Sequence, residues 1–290
     1  MVMLADVVAF LERFAPPQLA EDWDNVGLLA GDPRAPVRRL MTCLTITPAT
    51  ADEAVQQRAE LIVSHHPLPL RPTRRFTTET TQGRLLWQLL GARIAIYSPH
   101  TGFDSASSGI NQRLADMLAL HGVVPLQPRG AANAEQAAGG SSANSGRGAD
   151  SAAACGAPSP AQAGAGRYGE LRRAETLRQF ARRIKRALGQ STVQIVGDPQ
   201  RRIRRVAVAC GSAGELLHDA IRLQCDCFVL GETRFHTCLE AEAQHVALVL
   251  TGHYASERFA VEQLALVLAE QFPQVHCWAS RQERDPLRWV

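Results

Sequence analysis

The sequence predicts an α/β protein made of two similar, duplicated units. Three observations carry this. Short apolar, strand-like runs alternate with helix-like stretches; the same order of elements occurs twice; and a low-complexity stretch separates the two copies. Strand–helix alternation implies parallel strands joined through helical crossovers. A chain of 290 residues fits about two domains.

The first copy opens with Arg38-Arg39-Leu40-Met41-Thr42-Cys43-Leu44, a basic lead-in to an apolar strand. A helix-like stretch follows over Ala49–Glu60, then a short apolar strand, Leu61-Ile62-Val63, which runs into Ser64-His65-His66. Pro67 prevents that strand from continuing as a central one. A second helix surrounds Gly83–Leu90. A third strand, Arg93–Tyr97, leads to His100 and Asp104, and a helix near Gln112–Leu120 closes the copy.

The second copy repeats this order. Arg204–Cys210 is its first strand and Gly214–Leu223 a helix. Cys227–Leu230 is a strand ending at Gly231-Glu232, and Cys238–Gln244 a helix. Val246–Leu250 is a strand ending at Gly252-His253 and Glu257, and Phe259–Gln271 closes the chain as a helix. In both copies polar residues collect at the C-terminal ends of strands, where open α/β sheets place their ligands.

Between the copies, 27 of the 37 residues from 130 to 166 are Ala, Gly or Ser, with no large aliphatic or aromatic side chain. Such a segment buries too little apolar surface to offset its ordering entropy and reads as a disordered linker or insertion. The expected division is therefore 1–127, a linker at 128–168, and 169–290. No run approaches the roughly 20 apolar residues of a membrane helix, and Met1–Asp6 has no basic lead-in of a secretory signal. The expected location is the cytoplasm. Seven cysteines, without regular spacing, do not form a disulfide scaffold. Cys225 and Cys227, in an apolar run, would share one face of a strand and read as buried thiols, with a soft-metal or redox site as the alternative.

Lys185 is the only lysine among the 31 basic residues. From Arg172 to Arg205 there are eleven Lys/Arg against Glu175 and Asp198. Leu177, Phe180, Ala181, Ile184 and Leu188 follow helical spacing there, so most of the arginines belong to the opposite, solvated face. A phosphate or nucleic-acid surface is the sharper reading.

The chemistry centres on His65-His66. A regular strand would send the two imidazoles to opposite faces; an irregular strand end allows both to point at one site. Two further strand ends offer an imidazole with a carboxylate: His100 with Asp104, and His253 with Glu257. With a helix starting near Ala255, His253 and Glu257 lie one turn apart and can converge on a cation. Nitrogen and carboxylate donors suit Zn²⁺, Mn²⁺, Fe²⁺ or Co²⁺. The set exceeds the three protein ligands typical of one catalytic zinc and favours two ions, which a carboxylate can bridge at roughly 3.5–4 Å.

Here the sequence resembles the Nif-three-like family, whose bacterial members are named GTP cyclohydrolase 1 type 2 homologs. The resemblance rests on Trp23-Asp24-Asn25-Val26-Gly27-Leu28 with Gly31-Asp32, on Ser64-His65-His66-Pro67, and on His100-Thr101 with Asp104. It continues in Asn111 with Leu114-Ala115, Gly231-Glu232 with His236, and Gly252-His253 with Glu257, and covers the chain except 128–168. The resemblance implies two divalent cations between the units, held by His65, His66, Asp104, His253 and Glu257, with Asp104 as the bridge. The C-terminal part of the second unit would return to complete that site. It implies His100 and His236 near the metals as catalytic or substrate-contacting groups, and a toroidal homohexamer. Glu232 stands where many relatives carry Asp, and the linker lacks the apolar content of the insertion domain some relatives carry. The expected function is a metal-dependent hydrolase acting on a nucleotide or phosphorylated small molecule. The alternative is a non-catalytic metal-binding assembly, storage or adaptor protein. Trp23 is expected to pack, Asp24 and Asn25 to form a turn, and Asn25 is also a candidate to face the site.

Overall fold

The computed structural model describes residues 1–71, 73–129 and 162–288. The first half contains α1 (Leu4–Phe14), β1 (Gly27–Ala30), β2 (Arg39–Cys43), α2 (Pro48–Gln56), β3 (Leu61–Ser64), α3 (Thr81–Gly91), β4 (Ala95–Ser98), a short α4 (His100–Ser105), α5 (Ile110–Met117) and β5 (His121–Val124). Two-residue strands β6 (Gln127–Pro128) and β7 (Gly164–Ala165) pair antiparallel. Then come β8 (Arg167–Thr176), α6 (Leu177–Ala187), β9 (Gln194–Val196), β10 (Arg202–Ala209), α7 (Leu217–Arg222), β11 (Cys227–Leu230), α8 (Phe235–Ala243), β12 (Ala247–Leu250), α9 (His253–Gln271) and β13 (His276–Ala279). No helix among the described residues is long and apolar enough to cross a membrane.

The strands form two mixed sheets, ordered β1-β4-β3-β2-β13 and β5-β8-β10-β11-β12-β9. Each contains three consecutive parallel strands, β2-β3-β4 and β10-β11-β12. In each, the strand preceding that trio in sequence (β1 or β9) pairs antiparallel with its third member. The expected order of elements is thus present twice. Period-two alternation divides each strand between two cores. Leu40, Leu61 and Val63 face α1 and α9, whereas Met41 and Ile62 face α2 and α3. In the second sheet Val206, Val208 and Val229 pack with α5 and α6, and Ala207, Phe228 and Leu248 with α7 and α8.

The expected boundaries at 127 and 169 are crossed in both directions. Strand β5 joins the second sheet beside β8, and Leu114 and Leu118 of α5 pack there. Strand β13 joins the first sheet beside β2, and Ala260, Leu264 and Leu268 of α9 pack there. The linker's edges also shift inward. Residues 127–128, 164–165 and 167–176 lie in strands, because their backbone groups find ladder partners; the stretch 130–161, with Cys155, lies outside the described residues. Cys225 and Cys227 are free and buried, but they do not share a face. Cys225 precedes the strand and packs with Phe228 and Leu230, while Cys227 packs on the opposite side with Val229. Helix α6 buries Leu177, Phe180 and Ile184 and leaves Arg178, Arg182 and Arg186 exposed, the last two beside an open groove of about 800 Å³. Arg183 pairs with Glu175 at 2.7 Å and Arg204 with Glu170 at 3.2 Å.

Candidate metal centre

Every donor of the cluster sits just beyond the C-terminal end of a parallel strand. After β3 the backbone leaves the regular ladder. The Ser98 hydroxyl donates to the His65 carbonyl at 2.6 Å and the Ser64 hydroxyl to the His66 carbonyl at 2.9 Å. Held in this way, the two imidazoles lie 5.0 Å apart and tilted by 51° rather than on opposite faces.

The other donors come in two pairs with the same spacing. Helix α4 follows β4 with His100 first and Asp104 four residues on; α9 follows β12 with His253 first and Glu257 four residues on. The second helix starts two residues earlier than expected. Gly252, at φ 90°, turns the chain straight from strand into helix, so His253 and Glu257 lie one full turn apart inside it. His65 Nε2 is 3.6 Å from Asp104 Oδ1 and 3.9 Å from Glu257 Oε1. His66 Nε2 and His253 Nε2 each lie 3.2 Å from Glu257 Oε2, and 3.3 Å from each other.

The outer nitrogens are already engaged. Nδ1 of His66 meets the Thr45 hydroxyl at 2.7 Å, Nδ1 of His253 meets Glu232 at 2.9 Å, and Nδ1 of His100 meets Asp24 at 2.7 Å. An imidazole that gives its Nδ1 proton to such an acceptor presents a bare Nε2 lone pair, the usual arrangement of a metal-ligating histidine. Lone pairs on two imidazoles and a carboxylate at this separation repel unless a cation or proton lies among them. His65 Nδ1 is buried without a hydrogen-bond partner, and Glu257 Oε2 is buried with only the Nε2 atoms of His66 and His253 against it. Two subsets, His65–His66–His100 and His66–His253–Glu257, bring donor atoms close enough for one ion. Gly211 permits this approach: at φ 63°, any side chain there would strike the Glu257 carboxylate.

Burial pushes the Asp104 carboxyl up to about 7, reinforced by the charge of Glu257. Burial also works against the Glu257 carboxylate, but hydrogen bonds from His253 and His66 hold it ionised well below the usual carboxylate range. Burial keeps His65 neutral, far below the ordinary imidazole value. The Asp24 side chain is buried, which works against its charge, yet hydrogen bonds from His100 and Thr101 lower it to about 2. The hydrogen bond with Glu257 raises His253 to about 9, from an ordinary 6.5. A raised folded-state value gives stability that is complete below the unfolded value and lost as pH rises through the folded one. The metal-free protein should therefore lose urea-unfolding free energy between pH 6.5 and 9, with a shallower decline in His253→Gln. An identical slope in the two proteins would show that His253 does not carry it.

The sequence profile of Duf34/NIF3 (NGG1p interacting factor 3) matches residues 2–286. The chain belongs to this family. It is 33% identical over 263 residues to a GTP cyclohydrolase 1 type 2 homolog of Streptomyces coelicolor, covering 89% of this chain and 82% of that protein. It is 29% identical over 289 residues to the NIF3-like protein 1 of Drosophila melanogaster, covering 98% and 88%. Its fold superposes on a crystal structure of a Bacillus cereus protein related to NIF3 with a TM-score of 0.83 at 24% identity, covering 100% and 99%.

In this family member a cavity of about 580 Å³ opens over the cluster, lined by His66, His100, Asp104, His253 and Glu257 among others. His65, His66, Asp104, His253, Glu257 and His100 are brought together. His236 is not: it is exposed on the first turn of α8 and lies outside the cavity wall. Asn25 also faces elsewhere, donating to the Pro69 carbonyl at 2.6 Å. Trp23 is no packing residue; it is 63% exposed at the cavity rim, its ring 6.0 Å from that of His100. Asp24 does more than turn the chain, since it holds His100 and Thr101. Glu232 acquires a role as the partner of His253. Cys210 and Asn111 escaped the sequence reading of the site. The Cys210 thiol donates to Asp104 at 3.1 Å, and Asn111 bridges the Asp104 carbonyl and the Cys210 amide at 3.0 and 2.8 Å.

Proposed function

We propose that this chain binds two divalent cations through His65, His66, Asp104, His253 and Glu257, with Asp104 bridging, and hydrolyses a nucleotide or phosphoester. The observation that carries the metal reading is the convergence of the Nε2 atoms of His66 and His253 on the buried Glu257 carboxylate. The donor set of imidazoles and carboxylates suits Zn²⁺, Mn²⁺, Fe²⁺ or Co²⁺. When bound, such a pair supplies a nucleophilic water at neutral pH and polarises the electrophile. His100, braced by Asp24 and facing the same cavity, is the residue placed to hold or pass a proton at Nε2. Trp23 offers an exposed aromatic face at the rim to which a nucleobase can stack. The names of the bacterial relatives point to GTP; among the described residues no lysine or arginine lines the cavity. The resemblance also supports a toroidal homohexamer, which light scattering on the purified protein would measure.

The test is to strip the protein, reload it with each of the four metals, and screen nucleotides and phosphoesters. Expected are two ions per chain and turnover that disappears in the His65→Ala, Asp104→Ala double variant. Turnover surviving in that variant would rule out a metal enzyme. Two bound ions with no turnover under any metal would favour the storage or adaptor reading.

A further inference from the structure

The C-terminal tail reaches the candidate metal centre from behind. After β13 the chain turns at Ser280, and Glu53 of α2 clamps that turn. Its carboxylate accepts from the Ser280 hydroxyl at 2.5 Å, from the Arg281 amide at 3.0 Å and from the Gln282 amide at 3.1 Å. This delivers Glu283 into the space between the end of β2 and α9, where its side chain is only 3% exposed. One carboxylate oxygen accepts from the Leu44 amide at 2.8 Å and the other from the Thr45 amide at 2.6 Å. On the opposite side Arg258 Nε lies 3.3 Å from the same carboxylate, the Arg258 guanidinium donates to the Ser280 carbonyl at 2.7 Å, and the Tyr254 hydroxyl donates to the Glu283 carbonyl at 3.3 Å.

Two features make this more than a tail fastening. The residues of α9 that grip Glu283, Tyr254 and Arg258, each directly follow a metal donor, His253 and Glu257. The backbone that Glu283 holds on its other side belongs to Thr45, whose hydroxyl meets His66 Nδ1 at 2.7 Å. One buried carboxylate therefore ties the residue that orients His66 to the helix that presents His253 and Glu257. The other side of the centre is braced differently: Ser98 holds the His65 carbonyl, and Cys210 and Asn111 hold Asp104.

We propose that Glu283, acting through Thr45, is a positioning residue that sets the affinity of the ion held by His66, His253 and Glu257 without governing the His65–Asp104 side. This rests on the metal reading above. Groups that orient a ligating histidine typically change metal affinity by about 10–100-fold when lost. The asymmetry follows from the wiring: Glu283 and Thr45 bond toward His66 and the helix of His253 and Glu257, and among the described residues neither bonds to His65 or Asp104.

The experiment is a Co²⁺ titration of the metal-free, full-length protein, followed by calorimetry and visible absorption, with thermal unfolding in parallel. Thr45→Val keeps the side-chain shape and removes the acceptor; Thr45→Ser restores it; Glu283→Gln keeps the volume and removes the charge. Thr45→Val and Glu283→Gln should weaken one of two ions by about 10–100-fold and change its absorption band, while the second ion binds as before. Thr45→Ser should bind both ions like the unmodified chain. Equal weakening of both ions in step with a lowered Tm would make Glu283 a structural clasp and overturn the proposal, as would unchanged affinities. If Glu283→Gln does not fold, Thr45→Val and its serine rescue decide alone. A parent protein that binds no Co²⁺ would instead overturn the metal reading itself, and this proposal with it.

Discussion

Replacing Glu257 by alanine should abolish binding of both cations, the largest functional effect expected of any single substitution in this chain. Among the described residues Glu257 is the one carboxylate whose two oxygens reach three imidazoles, at 3.2 Å for His66 and His253 and 3.9 Å for His65. Its side chain is 4% exposed, so water cannot replace it as a ligand without opening the packing around α9. The loss should exceed the roughly 10–100-fold typical of an orienting group, because here a charged ligand itself disappears, one whose oxygens reach His65 as well as His66 and His253. The metal-free fold should suffer too, since truncating one partner of a buried charge pair costs about 3–5 kcal/mol. Glu257→Gln separates these effects: it keeps the volume and part of the hydrogen bonding but removes the charge. Expected is a Gln variant closer to the parent in urea unfolding yet still unable to retain two ions. Equilibrium dialysis against Zn²⁺ or Co²⁺, with metal counted per chain, gives the answer. A Glu257→Ala protein that holds two ions would remove this carboxylate from the centre.

Much of the frame was legible because it depends on local pattern. Leu61-Ile62-Val63 and Cys227–Leu230 are short apolar runs bounded by breaks, and they are buried central strands. His65-His66 was legible as a paired site because Pro67 stops the strand there. Long-range choices were not. Nothing local in His276-Cys277-Trp278-Ala279 says that it pairs with β2 rather than with a strand of its own half; the partner follows from α9 packing Ala260, Leu264 and Leu268 onto the first sheet. That same crossing helix carries His253 and Glu257 to His66, so the site and the exchanged strand have one cause. The orienting groups Thr45, Glu232 and Asp24 were equally hidden, lying 21, 21 and 76 residues from the histidines they hold.

The two halves also divide the labour at matching places. The third parallel strand of each half runs into a helix that opens with a histidine and carries a carboxylate four residues later: His100 with Asp104, and His253 with Glu257. At the second strand they differ. The first half ends β3 in His65-His66, two donors; the second ends β11 in Gly231-Glu232, whose carboxylate orients His253. Reading residue types alone makes Glu232 a candidate ligand or an unexplained acid. Its 2.9 Å contact with Nδ1 instead pairs it with His253, so the two halves contribute unequally to the one donor cluster.

The largest expected effect on stability lies away from the donors, at Arg167. This side chain is completely buried, and its guanidinium has no carboxylate within ion-pair distance among the described residues. Its charge is spread over backbone carbonyls instead: Gly164 at 2.6 Å, Gly166 at 2.7 Å, Ala106 at 2.8 Å and Gln162 at 3.0 Å, with Nε donating to Gln112 at 3.1 Å. Burial lowers its pKa to about 10, which still leaves it charged at neutral pH. These contacts fasten the chain where it enters β8 to the turn just after α4, the helix that carries Asp104. Hydrogen bonds to charged groups contribute about 1.5–3 kcal/mol each, and carbonyls orphaned in the interior keep their desolvation penalty. The terms are not additive, but Arg167→Ala should cost at least about 3 kcal/mol in urea unfolding. Arg167→Lys should rescue little of it, because a point ammonium with three donors cannot serve five acceptors spread around a planar fork. The same variants should weaken the ion on the Asp104 side first, since the turn at Ser105 and Ala106 loses its anchor. A loss under about 1 kcal/mol would mean that water or neighbouring side chains satisfy these carbonyls, and that the guanidinium is not what holds the Asp104 helix in place.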